Sequence, residues 1–314
     1  MMNVRTRFAP SPTGFIHLGN VWVAFLNWLY TRQHQGELVL RIEDIDQTRS
    51  RKEYAQALME DLDWLGLDWD EGPGGNYAYG STVQSERLSL YRRCVEKWKQ
   101  EGRVYPCYCT RARIHKISSA PHRGETLPVY DGHCRNLTNE QRKRQERQPS
   151  WRIRIEKETE ESFHDLLRGD ATQRLKPCED DFVVMRADGQ IAYQLAVSCD
   201  DGAMGITHVF RGEDLFSSTF YQIAILKELG YPLPVYAHLP LLMDQEGNRL
   251  SKRQHGITIR DMRAAGITAE EIIGKLLFWA GALPAPEPLS ATYAAKNIPF
   301  SDCRNLKQKS IIVR

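Results

Sequence analysis

The chain has 314 residues, 41% of them hydrophobic and 26% charged, with 42 basic against 40 acidic side chains. This composition excludes general disorder, collagen-like and coiled-coil readings. Mean hydropathy is −0.50, and no run approaches the roughly 18 apolar residues of a membrane span. Met1-Met2-Asn3-Val4-Arg5 leads directly into ordered-looking sequence without a signal-type apolar region. Seven cysteines make an odd count in a long chain and argue against a secreted disulfide scaffold. The expected location is a reducing cytoplasm. A net charge of +2 neither demands nor excludes nucleic acid.

Asn3 to Phe8 reads as a strand, followed by the turn-rich Ala9-Pro10-Ser11-Pro12-Thr13-Gly14. Val21, Ala24, Phe25, Trp28 and Leu29 then form the apolar stripe of a core-facing helix. Leu38 to Ile42 reads as a second buried strand. Together these make a βαβ unit and predict a parallel sheet. Helices are expected over 54–65 and 85–100. From Tyr105 to about Asp180 the periodicity weakens while cysteines, prolines and basic residues cluster, which reads as an insertion. Patterning resumes at Phe182. A strand is expected over 207–210, a helix over 218–229, an extended segment over 236–243 and a small helical tail from Thr268. The last ~25 residues are weakly patterned.

Two constellations carry chemistry. Arg7 to Asn20 joins the first strand to the first helix, where ligands of doubly wound sheets collect and helix N–H groups favour phosphate. His17 and Asn20 share one face of the first helical turn, and Gly19 lets a flat group approach the backbone. Arg249-Leu250-Ser251-Lys252-Arg253 places three cations around one serine and can follow a polyphosphate as it moves. Each alone is weak: the first reads equally as a turn with a stray histidine, the second as solvated surface.

As a pair, His17-Leu18-Gly19-Asn20 and Arg249-Leu250-Ser251-Lys252-Arg253 resemble the HIGH and KMSKS motifs of class I aminoacyl-tRNA synthetases. Phe8 to Gly14, Arg41 to Asp46 and Arg211-Gly212-Glu213-Asp214-Leu215 are similar to the glutamyl branch. The resemblance spans about residues 3 to 280. Only about 60 residues follow Lys252, where ordinary glutamyl enzymes continue into an anticodon-binding region. The shorter pattern, together with Tyr193-Gln194-Leu195-Ala196-Val197, resembles the glutamyl-queuosine tRNA(Asp) synthetase family. That resemblance implies ATP-dependent activation of L-glutamate and its transfer to the queuosine base in the anticodon of tRNA(Asp). Charging of a tRNA 3′ end and adenylation of glutamate for a non-RNA acceptor stay open.

The resemblance implies His17, Asn20 and Lys252 as catalytic residues and His17, Gly19, Asn20 and Lys252 as the ATP site, with magnesium held largely by ATP phosphates and water. It implies an amino-acid pocket of Arg7, Ala9, Ser11, Glu43, Tyr193 and Arg211. The residue types agree. Arginine makes bidentate pairs with carboxylate, Glu43 suits an ammonium, and Tyr193 offers a hydroxyl.

Cys107-Tyr108-Cys109 and Cys134 supply three thiolates, one short of a tetrahedral zinc site. Spacing makes His133 or Asp131 the fourth ligand, whereas the family implies Tyr130. The site has no obvious open position, so a zinc ion there is structural. Cys94, Cys178, Cys199 and Cys303 have no visible pairing. Asp44 and Asp46 read as helix caps or neighbours' partners rather than magnesium ligands.

The expected architecture is α/β: a Rossmann-like parallel-sheet catalytic domain in two halves, 1–104 and 182–243. A zinc-bearing acceptor-type insertion occupies 105–181. The motif loop and a small helical unit occupy 244–314, with no anticodon-binding domain. A monomer is expected, and no membrane partner. Arg135 to Arg154, with Arg142, Lys143, Arg144, Arg147 and Arg152 between them, is the candidate RNA-facing patch; its alternative is a solvated helix face.

Overall fold

The computed structural model describes residues 3–110, 112–114, 130–250 and 258–313. Strand β1 (Arg5–Phe8), helix α1 (Leu18–Gln33) and strand β2 (Glu37–Leu40) form the βαβ unit, with the strands parallel from Arg5↔Glu37 to Phe8↔Leu40. The α1 stripe is buried as its spacing predicts. Trp22 and Trp28 keep their indole N–H groups satisfied on Pro240 O (2.9 Å) and Asp68 Oδ1 (2.6 Å). Each such side chain taken from water contributes roughly 1.5–3 kcal/mol, so this helix is a main anchor of the core.

Helix α2 (Lys52–Trp64) and helix α3 (Leu88–Gln100) follow, near the expected bounds. Strand β3 (Val104–Cys107), the short helix α4 (Asn139–Lys143) and strand β4 (Ser150–Ile153) come next. They precede strands β5 (Thr159–Asp165), β6 (Gly169–Leu175) and β7 (Val183–Met185). Helix α5 (Tyr193–Ala203), strand β8 (His208–Gly212), helix α6 (Ser218–Glu228) and strand β9 (Val235–Leu239) complete the central part. The Thr207 N–H donates to Arg5 O at 2.9 Å, setting the start of β8 beside β1. Strands β8 and β9 are parallel, which agrees with the expected sheet.

The region where apolar periodicity fades is nonetheless well built. Strand β5 pairs antiparallel with β6 along its length and meets β9 in parallel at Asp165↔Tyr236. Burial along β5 does alternate, but two of its three inward residues are acidic, Glu161 and Asp165. Lys227 and His238 partner them. A hydrophobicity pattern does not see such a strand. Strands β3, β4 and β7 form a separate antiparallel sheet.

Strand β10 (Leu241–Met243), helices α7 (Ile259–Ala264), α8 (Ala269–Ala280) and α9 (Ala291–Asn297), and strand β11 (Ser310–Ile312) close the chain. Thr268 and Glu271 cap α8 reciprocally. A Cβ at Gly274 would stand 1.7 Å from Glu287 O, so only glycine lets the 283–289 segment cross this helix. The weakly patterned end is ordered: β11 pairs parallel with β10, and Leu306, Ile311 and Val313 enter the main core. Its apolar residues are few and fit no helical repeat, so their burial is a tertiary outcome. Among the described residues, no helix is long and apolar enough to cross a membrane.

Candidate active site

The first half of the site begins at the N-terminus of α1. His17 is its N-cap, and its Nδ1 accepts from Gly19 N–H at 3.1 Å while Asn20 Oδ1 accepts from His17 N–H at 3.2 Å. The two side chains fix each other and leave the first turn rigid. With Nδ1 an acceptor, the neutral ring carries its proton on Nε2, the donor form a phosphate oxygen needs.

The ends of the second motif meet this turn. A Cβ on Gly19 would lie 3.2 Å from Leu250 O, so the missing side chain is what admits the Leu250 backbone. On the far side, His17 bridges to Thr258, and Ile259 N–H donates to Ile16 O at 3.0 Å. Both flanks of 251–257 therefore lie against the His17 turn. Ser251, Lys252 and Arg253 themselves lie outside the described residues. So does the Pro121-His122-Arg123-Gly124 stretch.

A cavity of about 230 Å³ opens here. Arg7, Ala9, His17, Gly19, Asn20, Glu43, Tyr193 and Arg211 all line it, as do Arg249 and Leu250. Ser11 is the exception among the expected pocket residues. It lines an adjoining cavity of about 950 Å³ that runs from Glu43 and Tyr193 past Arg147, Gln148 and Arg186 to Cys107 and Cys109. Glu43 and Tyr193 line both cavities, and Tyr193 is 40% exposed between them.

Charge pairing distinguishes the arginines. Asp201 accepts from Arg7 Nε (3.1 Å) and Arg41 Nη1 (2.7 Å), and Arg41 Nη2 donates to Glu43 (3.0 Å). Arg87 pairs with Asp200 at 2.7 Å. Three buried guanidinium groups thus face three buried carboxylates. Burial raises the Asp201 carboxyl, but Arg7 and Arg41 outweigh it and hold it below its ordinary value. Glu43 is raised, because burial outweighs Arg41 and Arg7 there.

Arg211 is different. It is 4% exposed, and its hydrogen-bond partners are His238 Nε2 (3.0 Å), Gln222 Oε1 (2.6 Å) and the Thr219 hydroxyl. None of these carries negative charge when His238 is neutral. A buried cation with only neutral partners is costly unless an anion joins it. The cavity in front of Arg211 therefore suits a carboxylate. Sequence reading found Arg211 but missed Thr219, Gln222, His238 and Asp165. It also missed Asp200 and Asp201, whose signal was two acids closing the apolar run Leu195 to Cys199.

Asp44 binds a neighbour, accepting from Ser85 N–H (2.8 Å) and Oγ (2.6 Å). Asp46 accepts from Thr48 Oγ1 (2.6 Å) and Arg49 Nε (2.7 Å). Neither caps α2, whose N-cap Arg51 has no side-chain bond.

The thiol sulfurs of Cys107, Cys109 and Cys134 all lie within 4.8 Å of one another. Tyr130, 1% exposed, brings its hydroxyl to 3.6 Å from Cys107 Sγ. Asp131 is instead paired with Arg113, and His133 is exposed and outside the cluster. Arg152 Nε donates to Cys107 (3.4 Å) and Arg113 Nη1 to Cys109 (3.3 Å); burial and the neighbouring Cys107 nonetheless hold the Cys109 thiol above its ordinary value. Three convergent cysteine sulfurs are a donor set that could hold a metal ion such as zinc.

The basic stretch divides. Arg135 is buried on Asp181 and Ile155 O, Arg152 is buried on Cys107 and Asp181 O, and Arg154 lies over the Tyr105 ring. Arg135 and Arg154 are thus held by the protein itself, whereas Arg152 also lines the larger cavity. Lys143, Arg144 and Arg147 are exposed.

Comparison with known proteins agrees with this geometry. Residues 3–281 match the catalytic-domain family of class I tRNA synthetases for E and Q. The chain belongs to this family. A "Glutamyl-Q tRNA(Asp) synthetase" of Symbiobacterium thermophilum is 49% identical over 90% of this chain and 88% of its own length. A "Glutamate--tRNA ligase 2" of Syntrophus aciditrophicus is 42% identical, but only 56% of its length is matched. The solved glutamate-tRNA synthetase of Elizabethkingia anophelis superposes with a TM-score of 0.81 at 27% identity, over 99% of this chain and 68% of that one. A second, from Elizabethkingia meningosepticum in complex with its amino acid, gives a TM-score of 0.78 at 29% identity. It is matched over 65% of its length by 96% of this chain. Within the class I synthetase fold, the cavity beside the His17 turn is thus the candidate catalytic centre.

Proposed function

We propose that the chain activates L-glutamate with ATP and transfers it to queuosine in the anticodon of tRNA(Asp). The observation that carries this reading is Arg211, a buried cation with neutral partners, facing the same cavity as the His17–Asn20 turn. The strong likeness to a glutamyl-Q tRNA(Asp) synthetase across nearly the whole of both chains supports the acceptor.

The α-carboxyl group has a pKa of roughly 3.5 and is ionised at neutral pH. Its oxygen attacks the α-phosphorus of ATP, the bond to the bridging oxygen breaks, and pyrophosphate leaves. No general base is needed. Alignment and donors for the leaving group's charge are needed. His17 Nε2–H, Asn20 and Lys252 supply the donors, and Gly19 leaves the turn open beside them. Magnesium accompanies ATP. Arg211 takes the side-chain carboxylate, and Glu43 takes the ammonium. Arg7, Ala9, Ser11 and Tyr193 complete the pocket. A hydroxyl of the queuosine ring then attacks the acyl carbon, the bond from that carbon to the phosphate oxygen breaks, and AMP leaves with the hydroxyl proton passed to its phosphate.

The acceptor enters along the larger cavity, which shares Glu43 and Tyr193 with the smaller one. Cys107, Cys109 and Cys134, with Tyr130 as fourth donor, would hold one structural zinc ion that pins the segment following β3. The deciding experiment offers labelled glutamate with tRNA(Asp) carrying or lacking queuosine. Transfer only to the queuosine form is expected. Equal labelling of both forms, or labelling of a 3′ end, overturns the reading.

A further inference from the structure

His238 is fully buried on β9, and its two ring nitrogens face opposite chemistries. Nδ1 lies 2.6 Å from Asp165 Oδ2, and Nε2 lies 3.0 Å from Arg211 Nε. An ionised carboxylate only accepts, and a guanidinium N–H only donates. The ring must therefore donate through Nδ1 and accept through Nε2. That defines one neutral tautomer. Asp165 is itself held by His238 N–H (3.0 Å), Leu167 N–H (2.9 Å) and Arg168 N–H (3.0 Å), so it cannot swing to Arg211.

We infer that His238, locked by Asp165 with Nε2 unprotonated, is the positioning residue that aims Arg211 at the side-chain carboxylate of the amino-acid substrate while leaving the Arg211 charge unneutralised. The inference rests on the glutamate-activating reading above. A carboxylate in place of His238 would hold the same Nε–H but would cancel the charge meant for substrate. A neutral imidazole backed by a carboxylate gives a directional acceptor without that cancellation. Thr219 and Gln222 complete the set, also without charge. Three of the five guanidinium N–H groups are thus held and the remainder are directed by a rigid plane.

The groups packed around the imidazole agree with a neutral ring. Arg211 approaches from β8 and Arg168 from the β5–β6 turn, and among the described residues Asp165 is the one carboxylate bonded to it. Glu213 pairs with Arg168 rather than with His238. Phe216 packs edge-on at 4.9 Å between centroids, and Tyr236 stacks at 5.9 Å. Burial, with the Arg211 charge, pushes the imidazole down to about 4 despite Asp165.

The test uses the full chain in glutamate-dependent ATP–pyrophosphate exchange, with two variants. His238→Leu removes the acceptor. His238→Gln keeps one donor and one neutral acceptor. The leucine variant is expected to raise the glutamate KM at least about tenfold with the ATP KM within about twofold. The glutamine variant is expected within about threefold of wild type for both. Nitrogen-15 NMR of the histidines should show one ring, absent from His238→Gln, protonated on Nδ1 only between about pH 6 and pH 8.

An unchanged glutamate KM in the leucine variant overturns the inference. So does a parallel rise in both KM values in the glutamine variant, which would mark a merely structural ring. So does a ring protonated on Nε2. If the leucine variant does not fold, the glutamine variant and the NMR signal still decide. A wild-type protein that exchanges without regard to glutamate overturns the proposed function instead, and is distinguishable from all of these.

Discussion

Asp201 lies between Arg7 and Arg41, accepting from one at 3.1 Å and from the other at 2.7 Å. All three side chains are buried, so one carboxylate holds two cations beside the pocket. Asp201→Asn removes that charge, leaving Arg7 without its carboxylate and Arg41 with Glu43 in place of two close partners. A broken buried pair costs about 3–5 kcal/mol. The expected outcome is a strongly lowered Tm, and a Tm within about 1 °C of wild type would contradict this arrangement.

Arg211→Lys keeps the charge but loses the planar fork. Three neutral acceptors surround a guanidinium that a lysine ammonium cannot replace donor for donor. The glutamate KM is expected to rise about tenfold or more with little change for ATP. Steady-state exchange kinetics measure it, and an unchanged glutamate KM would remove Arg211 from the substrate site.

Lys252 belongs to a segment whose two flanks meet the His17 turn. A cation that engages the leaving pyrophosphate only in the transition state raises rate rather than affinity. Lys252→Ala is expected to slow adenylate formation about a hundredfold or more while ATP Kd changes less than about threefold. Single-turnover adenylate formation and equilibrium ATP binding separate the two. Equal losses would count against the role.

The thiol cluster predicts one zinc ion per chain, measurable by elemental analysis. Cys134→Ser is expected to abolish stoichiometric zinc. Because the metal pins a segment with a small apolar cluster of its own, Tm should fall by about 5 °C or more. Exchange activity should fall less than transfer to RNA. Full zinc content in the variant would rule the cluster out as the site.

His238 sets a pH dependence of stability. Its folded-state value is lowered from 6.5 to about 4, chiefly by burial. Between these values the unfolded chain binds a proton that the folded chain does not. Stability therefore falls as pH drops from about 6.5 towards 4, by at most about 3 kcal/mol from this group. Urea denaturation across that range should show the slope, and His238→Gln should flatten it. His208, also lowered by burial, keeps a part of it. An identical slope in wild type and variant would argue that His238 is not held neutral.

The βαβ unit, the core-facing stripe of α1 and the three-cysteine cluster were legible in the sequence alone. These are local signals: a repeat of 3.6, a turn, a spacing. They were enough to point to the family, and the residues they singled out largely line one cavity. Only the tertiary structure decided which arginine keeps its charge for a ligand. Arg7, Arg41 and Arg211 look alike in sequence, and what separates them is whether Asp201 and Glu43, or Thr219, Gln222 and His238, come to lie against them. The same holds for β5, whose inward acids become intelligible only beside Lys227 and His238. It holds for Arg135 and Arg152 too, basic residues that face Asp181 rather than solvent. Long-range pairing of buried polar groups has no period along the chain, so it is written in the fold alone.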